Sequence, residues 1–353
     1  GANHETYTKQ ALMRFIKENT SLEICDMGRY FAAVYRTRTV PPRPPLALRA
    51  DFDAVPVCET AALPYASKNP GWGHKCGHDG HSAALALTAT ELERAQPDRD
   101  VYLIFQHAEE TGEGAAEIVP FVEQNGIREI YATHNWPGIA QGAVRVKEGT
   151  VQCASEGMVI AFTGRRSHAS MPEEGLNPAE AISRLVLSLA GLADRKNYTA
   201  MVLCTVICVH VGEEAFGTSP GEGELMLTIR AQLESELCTL RERIKEAARG
   251  IAAEYGLGVS FSSRDPFPET ANTAYAARRV REACERAGVP CTKMDEPYRA
   301  SEDFGRLIKA AGEGALFYTG SGLSMSELHT PEFDFPDAIM KNIAAVMIEL
   351  VKG

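Results

Sequence analysis

The 353-residue chain lacks any apolar run that approaches the ~20 residues needed to cross a bilayer. Its best candidate, Met201 to Val211, is too short and is rich in β-branched residues, so it predicts a buried strand. The polar N-terminus also lacks the pattern of a signal peptide. Because position 1 is Gly rather than Met, we expect a truncation or a tag remnant there.

An excess of positive charge and paired cysteine motifs are also missing. Lys and Arg total 36 against 47 Asp and Glu, which leaves a formal net charge of −11. This balance argues against a nucleic-acid partner and against a membrane partner. The nine cysteines are odd in number and form no CxxC motif, so we expect a reducing compartment and a cytoplasmic location. Cys204 and Cys208 share a predicted strand, and their even spacing predicts that both pack on one side of it.

Predicted strands and helices alternate over most of the chain, which indicates a layered α/β domain with a largely parallel sheet. The predicted strands cover residues 46–55, 101–108, 129–133 and 315–319, and the predicted helices cover residues 79–95, 114–124, 272–287, 301–311 and 337–351. The proline-rich run at 41–45 predicts a stiff connector into the first of these strands.

The middle of the chain predicts the order β-α-β-β-α-β, the split arrangement of a ferredoxin-like α+β domain. Its strands are predicted at 156–163, 201–211, 225–231 and 259–263, and its helices at 177–193 and 235–256. Asn177 is the expected cap of the first helix. We therefore predict a smaller domain at 153–265, inserted into an α/β domain formed by 1–152 and 266–353.

Side chains capable of metal binding or acid–base chemistry follow four predicted strands. Open α/β sheets bind ligands at the carboxyl ends of their strands. This coincidence is the strongest physical signal in the sequence, and the side chains concerned are Asp51, Asp53, Glu109, Glu110, His134 and His329.

Two short motifs favour a metal site with a base beside it. In Cys76-Gly77-His78, before a predicted helix, a thiolate and an imidazole can converge on one cation because Gly77 permits a tight turn. In the pair Glu109-Glu110, one carboxylate can bind a metal while the other stays free as a base toward a water molecule.

These motifs occur in the order found in one known family. The sequence resembles the metal-dependent amidohydrolases that include hippurate hydrolases, aminoacylase-like enzymes and auxin-conjugate hydrolases, relatives of the dinuclear zinc carboxypeptidases. The residues that carry the resemblance are Arg49-Ala50-Asp51-Phe52-Asp53, Cys76-Gly77-His78-Asp79-Gly80-His81, Ala108-Glu109-Glu110, His134-Asn135-Trp136-Pro137, Ser167-His168-Ala169-Ser170-Met171-Pro172, Ser301-Glu302-Asp303-Phe304 and Leu328-His329-Thr330-Pro331.

The resemblance implies a catalytic domain with two divalent metal ions and an inserted lid domain that also forms a homodimer. It implies Glu109 as general base and His168 as a residue that polarises the scissile carbonyl in the partner's active site. Asp53 would orient a ligating imidazole, and Arg230 would bind the substrate's carboxylate. The implied metal ligands are Cys76, as a bridging thiolate, with His78, Glu110, His134 and His329.

Some positions depart from the family pattern. Gly217 stands where the family often has Asn, which leaves one substrate contact open, and His107 stands where Pro is usual. We expect His107 to be a pocket or core residue and His81 to be a hydrogen-bond partner rather than a ligand. The chain also starts later than most members, so we expect an early helix to be missing.

The resulting hypothesis is metal-dependent hydrolysis of the amide bond of an N-acyl amino acid. Thiolate and imidazole ligands suit zinc, nickel or cobalt, and the resemblance leaves manganese open. A dipeptidase or carboxypeptidase of the same family is an alternative with the same chemistry. A non-catalytic binder of acylated amino acids has no need of Glu109, and a cysteine hydrolase using Cys76 leaves Glu110 and His329 unexplained.

Overall fold

The structure, a computed structural model, describes residues 4–60 and 63–353. No helix in these ranges is both long enough and apolar enough to span a membrane. The described chain forms two compact units. The first comprises the residues up to Val151 together with Thr270–Pro297 and Glu302–Gly353, and the second comprises Gln152–Glu269 and Tyr298–Ser301.

Strands and helices alternate along the described ranges. The strands are β1 (Glu23–Asp26), β2 (Phe31–Tyr35), β3 (Arg43–Asp51), β4 (Arg99–Gln106), β5 (Glu129–Pro137), β6 (Val144–Val146), β7 (Gly149–Gln152), β8 (Ala154–Thr163), β9 (Ser167–His168), β10 (Val202–Val211), β11 (Thr218–Ser219), β12 (Glu222–Ala231), β13 (Gly258–Phe267), β14 (Thr270–Asn272), β15 (Cys291–Lys293) and β16 (Glu313–Gly322). The α-helices are α1 (Thr6–Asn19), α2 (His78–Ala95), α3 (Gly114–Gln124), α4 (Ala179–Leu192), α5 (Glu234–Glu254), α6 (Ala274–Ala287), α7 (Gly305–Ala311) and α8 (Met340–Lys352).

An eight-stranded sheet of order β1-β2-β4-β3-β5-β16-β6-β15 is the centre of the first unit. The four central strands β4, β3, β5 and β16 run parallel to one another. Antiparallel pairs β1–β2, β2–β4 and β16–β6 extend the sheet on its two sides. The small pair β7–β14 forms a separate two-stranded sheet.

Both faces of the central strands are buried, which explains their nearly continuous apolar sequences. In β3, Leu46 and Leu48 belong to the core cluster that α1, α2, α6 and α8 form against one face. The intervening Ala47 is equally buried on the opposite face, where α3 contacts β4 and α7 contacts β5 and β16. Helices therefore cover both sides of the sheet, which confirms the predicted layered α/β fold.

The carboxyl ends of the parallel strands lead into the segments that carry the predicted site. β3 ends at Asp51, and β4 ends at Gln106. The prediction that His134 follows a strand is wrong, because β5 continues to Pro137 and His134 pairs with Tyr318. The strand is longer than its sequence predicts because β16 runs beside it and pairs with it as far as Pro137.

The proline-rich run is a connector only in its first residues. β3 already begins at Arg43, so Pro44 and Pro45 belong to the strand. The register against β4 shifts between Arg43 and Leu46. Proline lacks the N–H group that a sheet requires, so the irregular pairing accommodates the two prolines.

The second unit is built on the antiparallel sheet β10-β12-β8-β13. Helices α4 and α5 pack on one face and bury alternate residues of β12, namely Leu225, Leu227 and Ile229. The chain order of these elements confirms the predicted β-α-β-β-α-β arrangement. The N-cap position of α4 is Pro178 rather than the predicted Asn177, although Oδ1 of Asn177 accepts a hydrogen bond from the N–H of Ala179, the first residue of α4, at 2.9 Å.

A bulge in β10 changes which residues share a face. The register against β12 shifts between Val206 and Cys208, so that Cys204 is opposite Ile229 and Cys208 is opposite Met226. An extra residue reverses the alternation of side chains along a strand. The prediction that both cysteines pack on one side is therefore wrong, and Cys204 is half-buried while Cys208 is exposed.

Candidate active site

The turn before α2 holds Cys76 and His78 close together. Gly77 between them has φ of +98°, in the left-handed region where only glycine is unstrained. A Cβ atom at this position would lie 2.3 Å from Oδ1 of Asn135. Both the backbone conformation and the lack of space therefore require glycine between the two candidate ligands.

The five side chains predicted as metal ligands form two groups of three that share Cys76. One group joins Cys76, His78 and His134, and the other joins Cys76, Glu110 and His329, with the candidate ligand atoms of each group within 4.8 Å of one another. The Cys76 Sγ lies 3.4 Å from the His134 Nε2, and the Glu110 Oε1 lies 3.3 Å from the His329 Nε2. The two groups are therefore adjacent, with a single sulfur atom common to both.

These donor atoms fit two divalent cations. Atoms bound about 2.1 Å from one tetrahedral ion lie roughly 3.4 Å apart, which matches the Cys76–His134 distance in one group and the Glu110–His329 distance in the other. Nε2 of His78 is buried without a hydrogen-bond partner among the described residues, and it lies 3.7 Å from Oε1 of Glu110. Burying such an atom unpaired is costly, and a cation would pair with it. One thiolate, three imidazoles and one carboxylate form a donor set that suits zinc, nickel or cobalt.

Asp53 is placed to orient two of the candidate ligands. Its Oδ1 lies 3.0 Å from Nδ1 of His78, and its Oδ2 accepts a hydrogen bond from the Glu110 N–H at 3.0 Å. A hydrogen bond from Nδ1–H leaves the Nε2 lone pair of His78 free for a cation. Although burial by itself raises the pKa of Asp53, its hydrogen bond with His78 lowers that pKa, so the acceptor stays ionised.

The electrostatic field in this region is negative. Hydrogen bonds with the thiol and the carboxylate of its own group raise the pKa of His329 to about 10. Burial alone would lower the pKa of His78, but the negative charge of Asp51 overcomes that effect and raises it. At His134 burial dominates and holds the pKa well below its usual value. A field that favours protons on His329 and His78 also favours cations that replace them.

Glu109 lies beside the two groups and belongs to neither. Its side chain is 5% exposed, and its Oε2 lies 3.9 Å from Nε2 of His78. Burial and the charges of Glu302 and Glu110 raise the pKa of Glu109 well above its usual value. A carboxylate with a raised pKa beside a cation site is a suitable general base.

The sequence did not predict the buried network around Arg49, whose acidic members belong to the family motifs. Arg49 is 1% exposed and donates hydrogen bonds to Asp51 at 2.6 Å, Glu302 at 3.0 Å and Asp303 at 3.1 Å. Its Nε donates to Oε1 of Gln106 at 2.8 Å. The available signal was one arginine in an apolar strand, with acidic residues close to it in the same motif. This signal could not identify the partners Glu302 and Asp303, because they are distant in sequence.

His81 completes this buried network on the side of the metal groups. Its Nδ1 lies 2.7 Å from Asp51 and its Nε2 lies 2.6 Å from Oδ1 of Asn135. Both ring nitrogens are thus engaged, in agreement with the prediction that His81 is a hydrogen-bond partner. His107 lies in the core, completely buried, with its ring stacked on Tyr30 at 6.3 Å.

The remaining predicted site residues lie in the second unit. His168 is exposed in β9, which pairs with β11, and its Nδ1 lies 2.7 Å from the Ser170 hydroxyl. Arg230 in β12 donates from Nη1 to the carbonyl of Arg299 and to the hydroxyl of Ser301. Gly217 lies in an exposed loop where an added Cβ would meet no atom within 4 Å. The roles of His168 and Arg230 stay predictions.

Comparison with known proteins places these observations in a family. Residues 47–353 match the model of peptidase family M20/M25/M40. The chain is 28% identical to an N-acetylcysteine deacetylase of Bacillus subtilis, over 99% of this chain and 93% of that protein. It is 30% identical to a hippurate hydrolase of Campylobacter jejuni, over 86% of this chain and 80% of that protein.

A solved structure supports the same assignment. The crystal structure of the YXEP protein of Bacillus subtilis, described as a dinuclear metal binding peptidase from the M20 family, has a TM-score of 0.84 and 26% identity to this chain. The alignment covers 99% of this chain and 92% of that one. The family resemblance of the motifs is thereby confirmed, and the protein is a hydrolytic enzyme that acts on amide bonds. The chain belongs to peptidase family M20/M25/M40.

Proposed function

We propose that the protein hydrolyses the amide bond of N-acyl amino acids, with two divalent cations bound by Cys76, His78, Glu110, His134 and His329. The observation that carries this proposal is the pair of three-residue groups that share the sulfur of Cys76. The relatives named N-acetylcysteine deacetylase and hippurate hydrolase support the substrate class.

The site residues Glu109, Asp53 and His78 of the first unit have distinct parts in the proposed reaction. When bound, the cations activate the attacking water and polarise the scissile carbonyl. Glu109 accepts the proton of that water and delivers it to the nitrogen of the leaving amine, so that the amine departs neutral. Asp53 keeps Nδ1 of His78 protonated, and Nε2 of His78 therefore stays available as a ligand.

The second unit contributes two residues in this proposal. Arg230 binds the carboxylate of the substrate. Its hydrogen bonds to Arg299 and Ser301 use Nη1 only, so among the described residues Nε and Nη2 remain for a carboxylate. His168 donates a hydrogen bond to the carbonyl oxygen as negative charge develops there, and it does so in the active site of a second subunit.

A homodimer formed through the second unit is part of the proposal. β10 is an edge strand of its sheet, and Val206, Ile207 and Val209 on it are 40%, 60% and 49% exposed. An unpaired edge strand with exposed apolar side chains favours pairing with another strand. A two-fold axis beside β10 would make the exchange of His168 reciprocal.

Metal analysis combined with a substrate panel tests the proposed function. Purified protein is assayed with N-acetyl and N-benzoyl amino acids and with dipeptides, before and after chelation. We expect two metal equivalents per subunit, hydrolysis of the N-acyl substrates, and loss of activity on chelation that zinc, manganese, nickel or cobalt restores. Preference for dipeptides would instead favour the dipeptidase alternative.

Cys76→Ser tests the shared ligand specifically. A serine hydroxyl is a poor anionic ligand at neutral pH compared with a thiolate. We expect Cys76→Ser to lose metal from both groups, whereas Cys284→Ser, at a buried cysteine of the core cluster, should keep the metal. Full activity in a demonstrably metal-free sample would overturn the proposal.

A further inference from the structure

The side chain of Asp303 is completely buried. Both oxygens of its carboxylate accept hydrogen bonds from N–H groups. Oδ1 accepts a hydrogen bond from Nη2 of Arg49 at 3.1 Å, and Oδ2 accepts one from the Ala115 N–H at 2.8 Å. Nε2 of Gln106 lies 2.8 Å from each oxygen. All these partners are N–H donors, and the two oxygens of a carboxyl group can accept from all of them.

The three donors belong to different elements of the first unit. Arg49 lies near the carboxyl end of β3, Gln106 is the last residue of β4, and Ala115 is in the first turn of α3. Gln106 precedes Glu109 in the chain, and Ala115 follows it. The carboxylate of Asp303 therefore ties together both ends of the loop that carries Glu109.

The main chain of Asp303 contacts Glu109 itself. The Asp303 N–H donates a hydrogen bond to Oε1 of Glu109 at 3.4 Å. The other oxygen, Oε2, lies 3.9 Å from Nε2 of His78, on the side of the candidate metal groups. One residue thus fixes both the loop and one carboxylate oxygen of the base.

We propose that Asp303 is a positioning residue for Glu109, which it holds with one carboxylate oxygen bound and the other directed toward the metal groups. This inference rests on the proposed function, in which Glu109 is the general base. Displacing a catalytic group by about 1 Å can cost on the order of 100-fold in rate. The loss should appear in kcat, because Asp303 contacts none of the five candidate metal ligands in the described structure.

A double-mutant cycle between Asp303 and Glu109 tests the inference. Asp303→Asn keeps the shape of the side chain but turns an amide NH₂ toward N–H donors. We expect Asp303→Asn to lower kcat about 10- to 100-fold, with little change in KM and with wild-type metal content. In the Glu109→Gln background, the same substitution should cause no further loss of kcat, since there is no base left to position.

A second buried carboxylate provides the matched control. Glu129, at the start of β5, is 8% exposed and accepts hydrogen bonds from Arg99 and from the Tyr131 hydroxyl. Glu129→Gln disturbs a buried ion pair at the opposite end of the sheet from the site. It should lower the melting temperature and leave kcat within about two-fold of wild type, as expected for a distant, independent position.

The outcomes separate this inference from the proposed function. An equal loss of kcat in both backgrounds, or no loss in either, would overturn the positioning role of Asp303 and leave the base assignment in place. Wild-type kcat in Glu109→Gln alone would overturn the base assignment and the inference together. Should Asp303→Asn fail to fold, Gln106→Leu, which removes the N–H donor shared by both oxygens, takes its place in the cycle under the same criteria.

Discussion

The guanidinium of Arg49 pairs with three buried carboxylates, and its removal should destabilise the first unit severely. Arg49→Met retains an unbranched apolar side chain and deletes the charge. Asp51, Glu302 and Asp303, each at most 1% exposed, then lose an ion-pair partner. Breaking a buried pair by removing one partner typically costs about 3–5 kcal/mol, against a total stability of roughly 5–15 kcal/mol for a folded domain.

Urea-induced unfolding of metal-depleted protein measures this loss without a contribution from metal release. The matched control is Arg36→Met, which removes an arginine that is 48% exposed and paired with Glu23 and Asp100 at the surface. Exposed pairs contribute about 0–1 kcal/mol. We therefore expect Arg49→Met to lower the free energy of unfolding by about 3–5 kcal/mol and Arg36→Met by less than about 1 kcal/mol.

The difference between wild type and Arg49→Met should also depend on pH. Burial by itself raises the pKa of Asp51, but the positive charges of His78 and Arg49 hold it well below its usual value. A lowered pKa in the folded state stabilises the protein above the unfolded pKa of about 3.9, and this stabilisation is lost as the pH falls. The deficit of Arg49→Met should therefore be larger at pH 7.5 than near pH 3, which lies below the unfolded pKa. A deficit no larger than that of Arg36→Met, or one that grows toward low pH, would refute the reasoning.

Three further predictions concern the site. Glu109→Gln should lower kcat by about 10²- to 10⁴-fold and keep its metal, whereas Glu110→Gln should lose metal; the opposite pattern in elemental analysis and kinetics would reverse the two roles. Gly77→Ala should reduce both metal content and stability, because its Cβ would lie 2.3 Å from Oδ1 of Asn135. The control is Gly126→Ala, since Gly126 also has a positive φ but an added Cβ there meets no atom within 4 Å. It measures the backbone strain without the clash. When Glu109→Gln and His168→Ala subunits are dissociated and reassembled in equal amounts, about a quarter of all sites should recover activity; verified mixed dimers without activity would show that His168 does not act across an interface.

The sequence alone determined the fold class and the order of the main elements from β3 onward, whereas α1, β1 and β2 were not predicted. Apolar runs and helical periodicity placed β4, α2, α3 and α6 close to their observed bounds, because their burial pattern is set by local sequence. The three-residue strands β6, β14 and β15 were not predicted. So short a segment has too few residues to show a period, and it becomes a strand only because a neighbouring strand pairs with it.

Local sequence also determined which residues are candidates for the site. The spacing of Cys76-Gly77-His78 and the pair Glu109-Glu110 define chemistry within a few residues, and the structure brings both to the carboxyl ends of parallel strands. The position of His134 inside β5, rather than after it, depended on the pairing of β5 with β16. No feature of the residues around His134 specifies where that pairing stops.

Only the tertiary structure decided how the candidate base is supported. Arg49 and Gln106 meet Asp303, about 254 and 197 residues further along the chain, and Asp303 in turn meets Glu109. Contacts at such separation leave no trace in local periodicity, because they form only when β3, β4 and the segment before α7 are packed together. The sequence thus indicated which residues carry the chemistry of the site. The packing of the sheet determined which buried charges pair with one another and which residue positions Glu109.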